Sequence, residues 1–240
     1  MVRAITTIVC SLLLLLSFSC SREDTGPQET IPGSGIVTFT AMTGQGETRS
    51  SQEGSFETGD AICVFAIEPK TGVYWAVNNK YTYDGQKFKP EAEADNIIVT
   101  VGTDFDFYVY YPFKTGQTDI TGISHTAGNQ NEKAGWISAD FMTATYTDPI
   151  RDYTVPLNFK HRMSTVEVRI DRNDGVREAT MENVKRTSRF NLLTGGISTD
   201  ESKGNCTMYK YSEAGGTTVF RVTIPAPVSY THLTLPTICS

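Results

Sequence analysis

The sequence predicts an all-β protein built from antiparallel sandwiches, and three observations carry that prediction. Apolar residues recur with period two along most of the chain. Helical periodicity of useful length is absent, and Gly-, Asn- and Asp-containing turns punctuate the apolar runs. A composition of 39% hydrophobic and 10% aromatic residues over 240 positions supplies enough apolar surface for proper cores.

The elements follow in order. "GIVTFTAM" sets Val37, Phe39 and Ala41 against Ile36, Thr38 and Thr40, the alternation of a strand with one buried face. "DAICVFAI" and "NIIVTV" are short apolar runs of strand length. "DFDFYVYYPF" places Phe105, Phe107, Val109 and Tyr111 on one face. "YTVPLNF", "STVEVRI" and "TTVFRVTI" complete the set; in the second, Val166, Val168 and Ile170 alternate with Glu167, Arg169 and Asp171. Turns are predicted at "ETGD", "YDGQ", "KTGQTD", "DRNDG", "LTGG" and "EAGG". The segment Gly122 to Asp140, "GISHTAGNQNEKAGWISAD", reads as a long surface loop with Trp136 pinned to a sandwich. "DPIRD" at Asp148 to Asp152 marks the expected boundary between a sandwich over 36–152 and an incomplete one over 153–227.

The amino terminus is a targeting segment. Arg3 gives a positive n-region, and "AITTIVCSLLLLLSF" is apolar but too short to span a bilayer as a mature helix. Ser19-Cys20 follows directly, a small residue and Cys that resemble a bacterial lipobox, although Ser17 stands where Leu is usual. Residues 1–20 are therefore expected to be a lipoprotein signal, with Cys20 acylated, and 21–35 a tether. Ordinary signal cleavage nearby, or an uncleaved anchor, is the alternative.

Catalytic and metal-binding chemistry finds little support. Asp104 and Asp106 share a strand face, as a glycosidase pair could, but a solvent-facing edge explains them better. "DRNDG" misses the spacing of a calcium loop. His125, His161 and His232 are far apart, and no CxxC or Cys/His cluster favours zinc. Cys63 and Cys206, the two cysteines outside the signal, the lipid site and the terminal stretch, are expected as free thiols. No Gly-rich phosphate loop is present, and a net charge of −6 leaves no basic footprint for nucleic acid. The expectation is a non-enzyme without a cofactor.

Taken in order, several segments resemble the fimbrillin family of Bacteroidales. They are Arg49 ahead of "FETGDAICVFA", then "NNKYTYDGQKF", "DFDFYVYYPF", "DFMTATYTDP", "VPLNFKHRMSTVEVRI" and "VFRVTIP", over roughly Ile36 to Pro227. The resemblance implies a surface lipoprotein precursor with two transthyretin-like β-sandwiches, and "SRED" behind Cys20 resembles the export signal of such lipoproteins. In pilus-forming members an arginine-specific protease cuts after an Arg following the first strand. A strand from a neighbouring subunit then fills the opened groove by β-augmentation. Arg49, in "GQGETRSSQEGS", is the matching position here. The implied partners are other fimbrillin subunits, the outer membrane through the lipid anchor, and ligands on host or bacterial surfaces; the implied location is the cell surface and its fimbriae. The rival reading is a glycan-binding outer-membrane lipoprotein of a polysaccharide-uptake system, for which Trp75, Tyr81 and Tyr83 would form an aromatic platform.

The last thirteen residues, "VSYTHLTLPTICS", alternate only briefly before their Pro. Codons that encode "VSYTHLTLPT" look like a transposase adapter used in sequencing libraries. Residues 228–240 are therefore expected to be non-native and stand outside the fold prediction.

Overall fold

The computed structural model of the chain describes residues 33–42, 56–171 and 175–225. In chain order its strands are β1 (Ser34–Ile36), β2 (Thr38–Ala41), β3 (Ala61–Ile67), β4 (Tyr74–Tyr83), β5 (Phe88–Pro90), β6 (Ile98–Thr100), β7 (Asp106–Tyr111), β8 (Ile123–Thr126) and β9 (Met142–Tyr146). There follow β10 (Thr154–Leu157), β11 (Lys160–His161), β12 (Met163–Asp171), β13 (Thr180–Lys185), β14 (Thr187–Asn191), β15 (Gly196–Thr199), β16 (Lys203–Thr207), β17 (Tyr209–Ala214) and β18 (Thr217–Pro225). Among the described residues the helices are one short α-helix, α1 (Lys133–Ser138), and a 3-10 turn at Glu93–Asp95. The all-β prediction holds.

One sheet runs β10-β2-β5-β4-β3-β7-β9-β11. Its two end strands, β10 and β11, are separated in sequence only by Asn158 and Phe159. That link reaches at most about 11 Å, whereas eight flat strands would hold their ends about 34 Å apart. The sheet must therefore curl until its ends meet. The space it encloses is the first core, filled by Phe39, Val64, Tyr81, Phe88, Phe107 and Val155 among others. The predicted inward face of β7 and the residue before it, Phe105, Phe107, Val109 and Tyr111, all lie in this core.

β3 is apolar on both faces because both are covered. Ile62, Val64 and Ala66 point into the first core, while Cys63, Phe65 and Ile67 enter a second. Over that second core lies a sheet ordered β15-β14-β8, and Phe141 stacks between its Phe190 (4.1 Å) and Tyr110 of β7 (5.5 Å). The "FETGD" segment serves this arrangement. Phe56 enters the first core, and the Asp60 carboxylate accepts from the Glu57 amide (2.7 Å) and the Tyr111 hydroxyl (3.1 Å).

A third core lies between β12-β18-β17 and β13-β16, with Val168, Met181, Val184, Cys206, Phe220 and Val222. β12 and β18 pair antiparallel over their full lengths, from Met163↔Pro225 to Asp171↔Thr217. β17 matches β18 only as far as Arg221. Beyond it the Gln130 side chain takes the place of a strand: its Nε2 donates to Thr223 O (2.6 Å), and Thr223 N donates to its Oε1 (2.7 Å).

Two expectations need revision. The stretch Gly122 to Asp140 is not wholly loop, since β8 pairs with β14 and α1 follows it. Trp136 is pinned as expected, fully buried and stacked on Tyr209 at 5.4 Å. Gly135 permits that docking, because a side chain there would collide with the Asn129 carbonyl oxygen. The expected boundary at residue 152 falls within the first sheet, since β10 completes that sheet by pairing with β2. The described residues belong to one compact unit.

Candidate functional site

The segment 33–42 fills a slot that other parts of the chain leave open. β1 pairs with β6 antiparallel, from Ser34↔Thr100 to Ile36↔Ile98. β2 lies between β10, which it meets in parallel from Thr38↔Thr154 to Ala41↔Leu157, and β5, which it meets at the single pair Phe39↔Phe88. Further bonds hold the segment at both ends. Val37 N donates to Ile97 O (2.9 Å), Thr38 N to Tyr153 O (2.7 Å) and Met42 N to Leu157 O (2.8 Å). Gly35 lies under Tyr153, whose ring would be 2.8 Å from any added Cβ.

Its side chains follow the predicted alternation. Val37 and Phe39 are fully buried, whereas Ile36 and Met42 are exposed. Phe39 meets Tyr81 and Phe107 edge-to-face at centroid distances of 5.0 and 5.3 Å. Two buried side chains of this size contribute roughly 3–6 kcal/mol before ordering costs. Parallel pairing is slightly weaker per residue than antiparallel. The segment is thus seated through few residues.

The predicted processing and lipid sites, Arg49 and Cys20, lie outside the described residues, as do His232 and the 172–174 part of "DRNDG". Cys63 and Cys206 are unpaired and buried, one in the second core and one in the third. Burial pushes the Cys63 thiol far above its ordinary range, so it is a packing residue. His125 is buried with Nε2 3.0 Å from Ala139 O, and its pKa is lowered to about 4, first by burial and then by the Lys114 charge. His161 pairs through Nδ1 with Asp140 at 2.7 Å. Asp104 forms an ion pair with Lys70 at 3.2 Å. The Asp106 carboxyl is raised by desolvation and then by the Asp104 charge. Among the described residues no group of three or more His, Cys, Asp or Glu side chains could hold a metal ion.

The aromatic platform of the rival reading does not assemble. Trp75 is exposed and edge-on to Phe105 at 5.2 Å, but Tyr81 is fully buried and Tyr83 packs on Phe56 and Phe88. All three positions are odd-numbered on β4, so an unbroken strand would show them on one face. The β3–β4 register instead slips between Val64↔Asn79, Ala66↔Ala76 and Ile67↔Tyr74, with Asn78 at φ 59°. This bulge reverses the alternation, turning Ala76 inward before it and Tyr81 inward after it.

The family profile described as fimbrillin-like matches residues 48–237. The chain belongs to the fimbrillin-like family. The match begins just ahead of Arg49, after the β1–β2 segment, and its end takes in residues 228–237 of the terminal stretch. No curated protein matches the sequence. Similar solved structures include a candidate cell-adhesion protein from Bacteroides ovatus, with a TM-score of 0.59 at 16% identity over 80% of this chain and 78% of that one. A second, from Bacteroides uniformis, has a TM-score of 0.58 at 18% identity over 79% and 75%. At these identities they show a common fold. Fimbrillin-like membership accounts for the motifs as structural ones: "FETGD" as a core-and-turn unit, "VYYP" as the strand shared by two cores.

Proposed function

We propose that this fimbrillin-like protein is a cell-surface fimbrial subunit or accessory adhesin whose β1–β2 segment is a placeholder strand. Lipid on Cys20 holds the precursor at the outer membrane, where several acyl chains anchor far better than one. An arginine-specific protease cuts after Arg49, and a strand from a neighbouring subunit then displaces the segment ahead of the cut. The observation that carries the reading is the seating of β2. It gives Phe39 to the first core, beside Val37 just ahead of it, yet it is bound along its length by one parallel partner and meets β5 at a single pair.

Cutting alone need not empty the slot, because packing and ladder bonds persist in the nicked chain. Exchange goes forward when the incoming strand offers the same alternation of apolar residues and the same main-chain bonds. Treatment of the full-length natural protein with an arginine-specific protease should remove the residues up to Arg49 and yield ladder-like oligomers. Arg49→Ala should stay monomeric under the same treatment. Equal oligomerisation of the two, with no cut at residue 49, would refute strand exchange at this site.

A further inference from the structure

A cleft of about 540 Å³ opens between β9, β11 and the turn joining β14 to β15, within the usual size range of small-molecule sites. Thr143, Thr145, Thr147, Asn158, Asn191 and Thr194 line it. Their hydroxyl and carboxamide groups both donate and accept hydrogen bonds. Lys160 and Arg162 join them, and no Asp or Glu lines the cleft. In a chain of net charge −6 this is a local reversal of sign.

The two cations are poorly compensated. Among the described residues neither forms an ion pair with a carboxylate. Arg162 donates an Nη2 hydrogen to Gly195 O, while its Nε is buried without a hydrogen-bond partner. Both line the same cleft, and an anion that reaches two like charges relieves their repulsion. The turn that forms one wall is fixed in advance. Asn191 Oδ1 accepts from Leu193 N (3.0 Å) and Thr194 N (3.1 Å), and Arg162 latches Gly195. Such preorganisation reduces the ordering cost of binding. The exposed Leu193 side chain and the partly buried Tyr108 ring supply apolar surface, against which a sugar's C–H face can pack.

We propose that this cleft binds a short acidic saccharide. The sugar carboxylate pairs with Lys160 and Arg162, and ring hydroxyls bond to the threonine and asparagine side chains. Threonine and asparagine side chains alone outnumber cations six to two in the lining. That ratio suits a ligand with many hydroxyls and few charges better than an acidic peptide, whose successive carboxylates would demand more cations. The site rests on the adhesin half of the proposed function and is independent of strand exchange.

The test is titration of the secreted Arg49→Ala protein, so that failure of strand exchange cannot affect the outcome. Digalacturonate is the probe, with neutral digalactose and a tetraglutamate peptide as comparators, followed by NMR shifts and calorimetry. Digalacturonate should bind saturably, more weakly as salt rises, and at least about tenfold tighter than digalactose. Lys160→Gln, at an exposed position, should weaken binding about tenfold without moving the unfolding midpoint. Thr145→Trp, also at an exposed position, should block the cleft and abolish binding. Absence of saturable binding, equal binding of digalactose, tighter binding of tetraglutamate, or indifference to Lys160→Gln would each overturn the proposal.

Discussion

Phe39→Ala is the substitution that most directly measures what the proposed placeholder strand contributes. Phe39 is fully buried, and its ring meets Tyr81 and Phe107 edge-to-face. Burying a Phe is worth about 1.5–3 kcal/mol, and each edge-to-face pair adds about 0.5–1.5 kcal/mol. These two rings belong to β4 and β7, which are fixed by their own ladders, so the vacated space collapses poorly. These contributions place the loss near 4 kcal/mol, inside the range seen for Phe→Ala in cores. In urea, with a slope of about 2–3 kcal/mol per M, the unfolding midpoint should fall by about 1.5 M. The same change should speed oligomer formation once Arg49 is cut, since a weaker placeholder is displaced faster. A midpoint shift below about 0.4 M would mean that Phe39 is not a core residue, and the argument for a seated placeholder would fail.

Other consequences concern the rest of the fold. Gln130→Leu removes two bonds from the buried backbone of Thr223 and should cost about 2–5 kcal/mol, read from the same urea titration; a loss under about 1 kcal/mol would show that Gln130 does not stand in for a strand. His125, with its folded pKa lowered to about 4, lets the unfolded chain take up a proton first as pH falls. Its contribution is complete above about pH 6.5 and is lost towards pH 4, by about 3 kcal/mol in all. Comparison of His125→Asn with the wild type across that window should show the difference in slope, and parallel curves would contradict it. Gly135→Ala should dislodge α1 from its place beside Asn129 and quench or shift Trp136 fluorescence, whereas an unchanged spectrum would deny the close approach.

Much of the architecture was legible because period two is a local signal. The inward faces of β2 and β7 and the wet face of β12 could be read from alternation alone. What escaped depends on partners distant in sequence. The four-residue β8 becomes a strand only through β14, some sixty residues later. The parallel match of β2 with β10 carries the first sheet past the expected boundary, and no feature of "DPIRD" announces it. Tyr81 does not share a face with Trp75, as the rival platform needs, because the bulge at Asn78 is set by pairing with β3 rather than by a Gly or Pro. The cleft draws Lys160 and Asn191 together from separate sheets, and neither residue stands in a recognisable motif. Arg49 and Cys20 rest on likeness to family motifs and a lipobox, and both lie outside the described residues.

Native mass spectrometry of oligomers formed after cleavage at Arg49 tests the central claim most directly. If β1–β2 is a placeholder, each subunit that has received a neighbour's strand will have lost the fragment ending at Arg49. The oligomer mass should then equal a whole number of subunits beginning at Ser50, with at most one fragment remaining, on the end subunit. Oligomers that keep one fragment per subunit would show that assembly proceeds without emptying the slot, and would contradict the account.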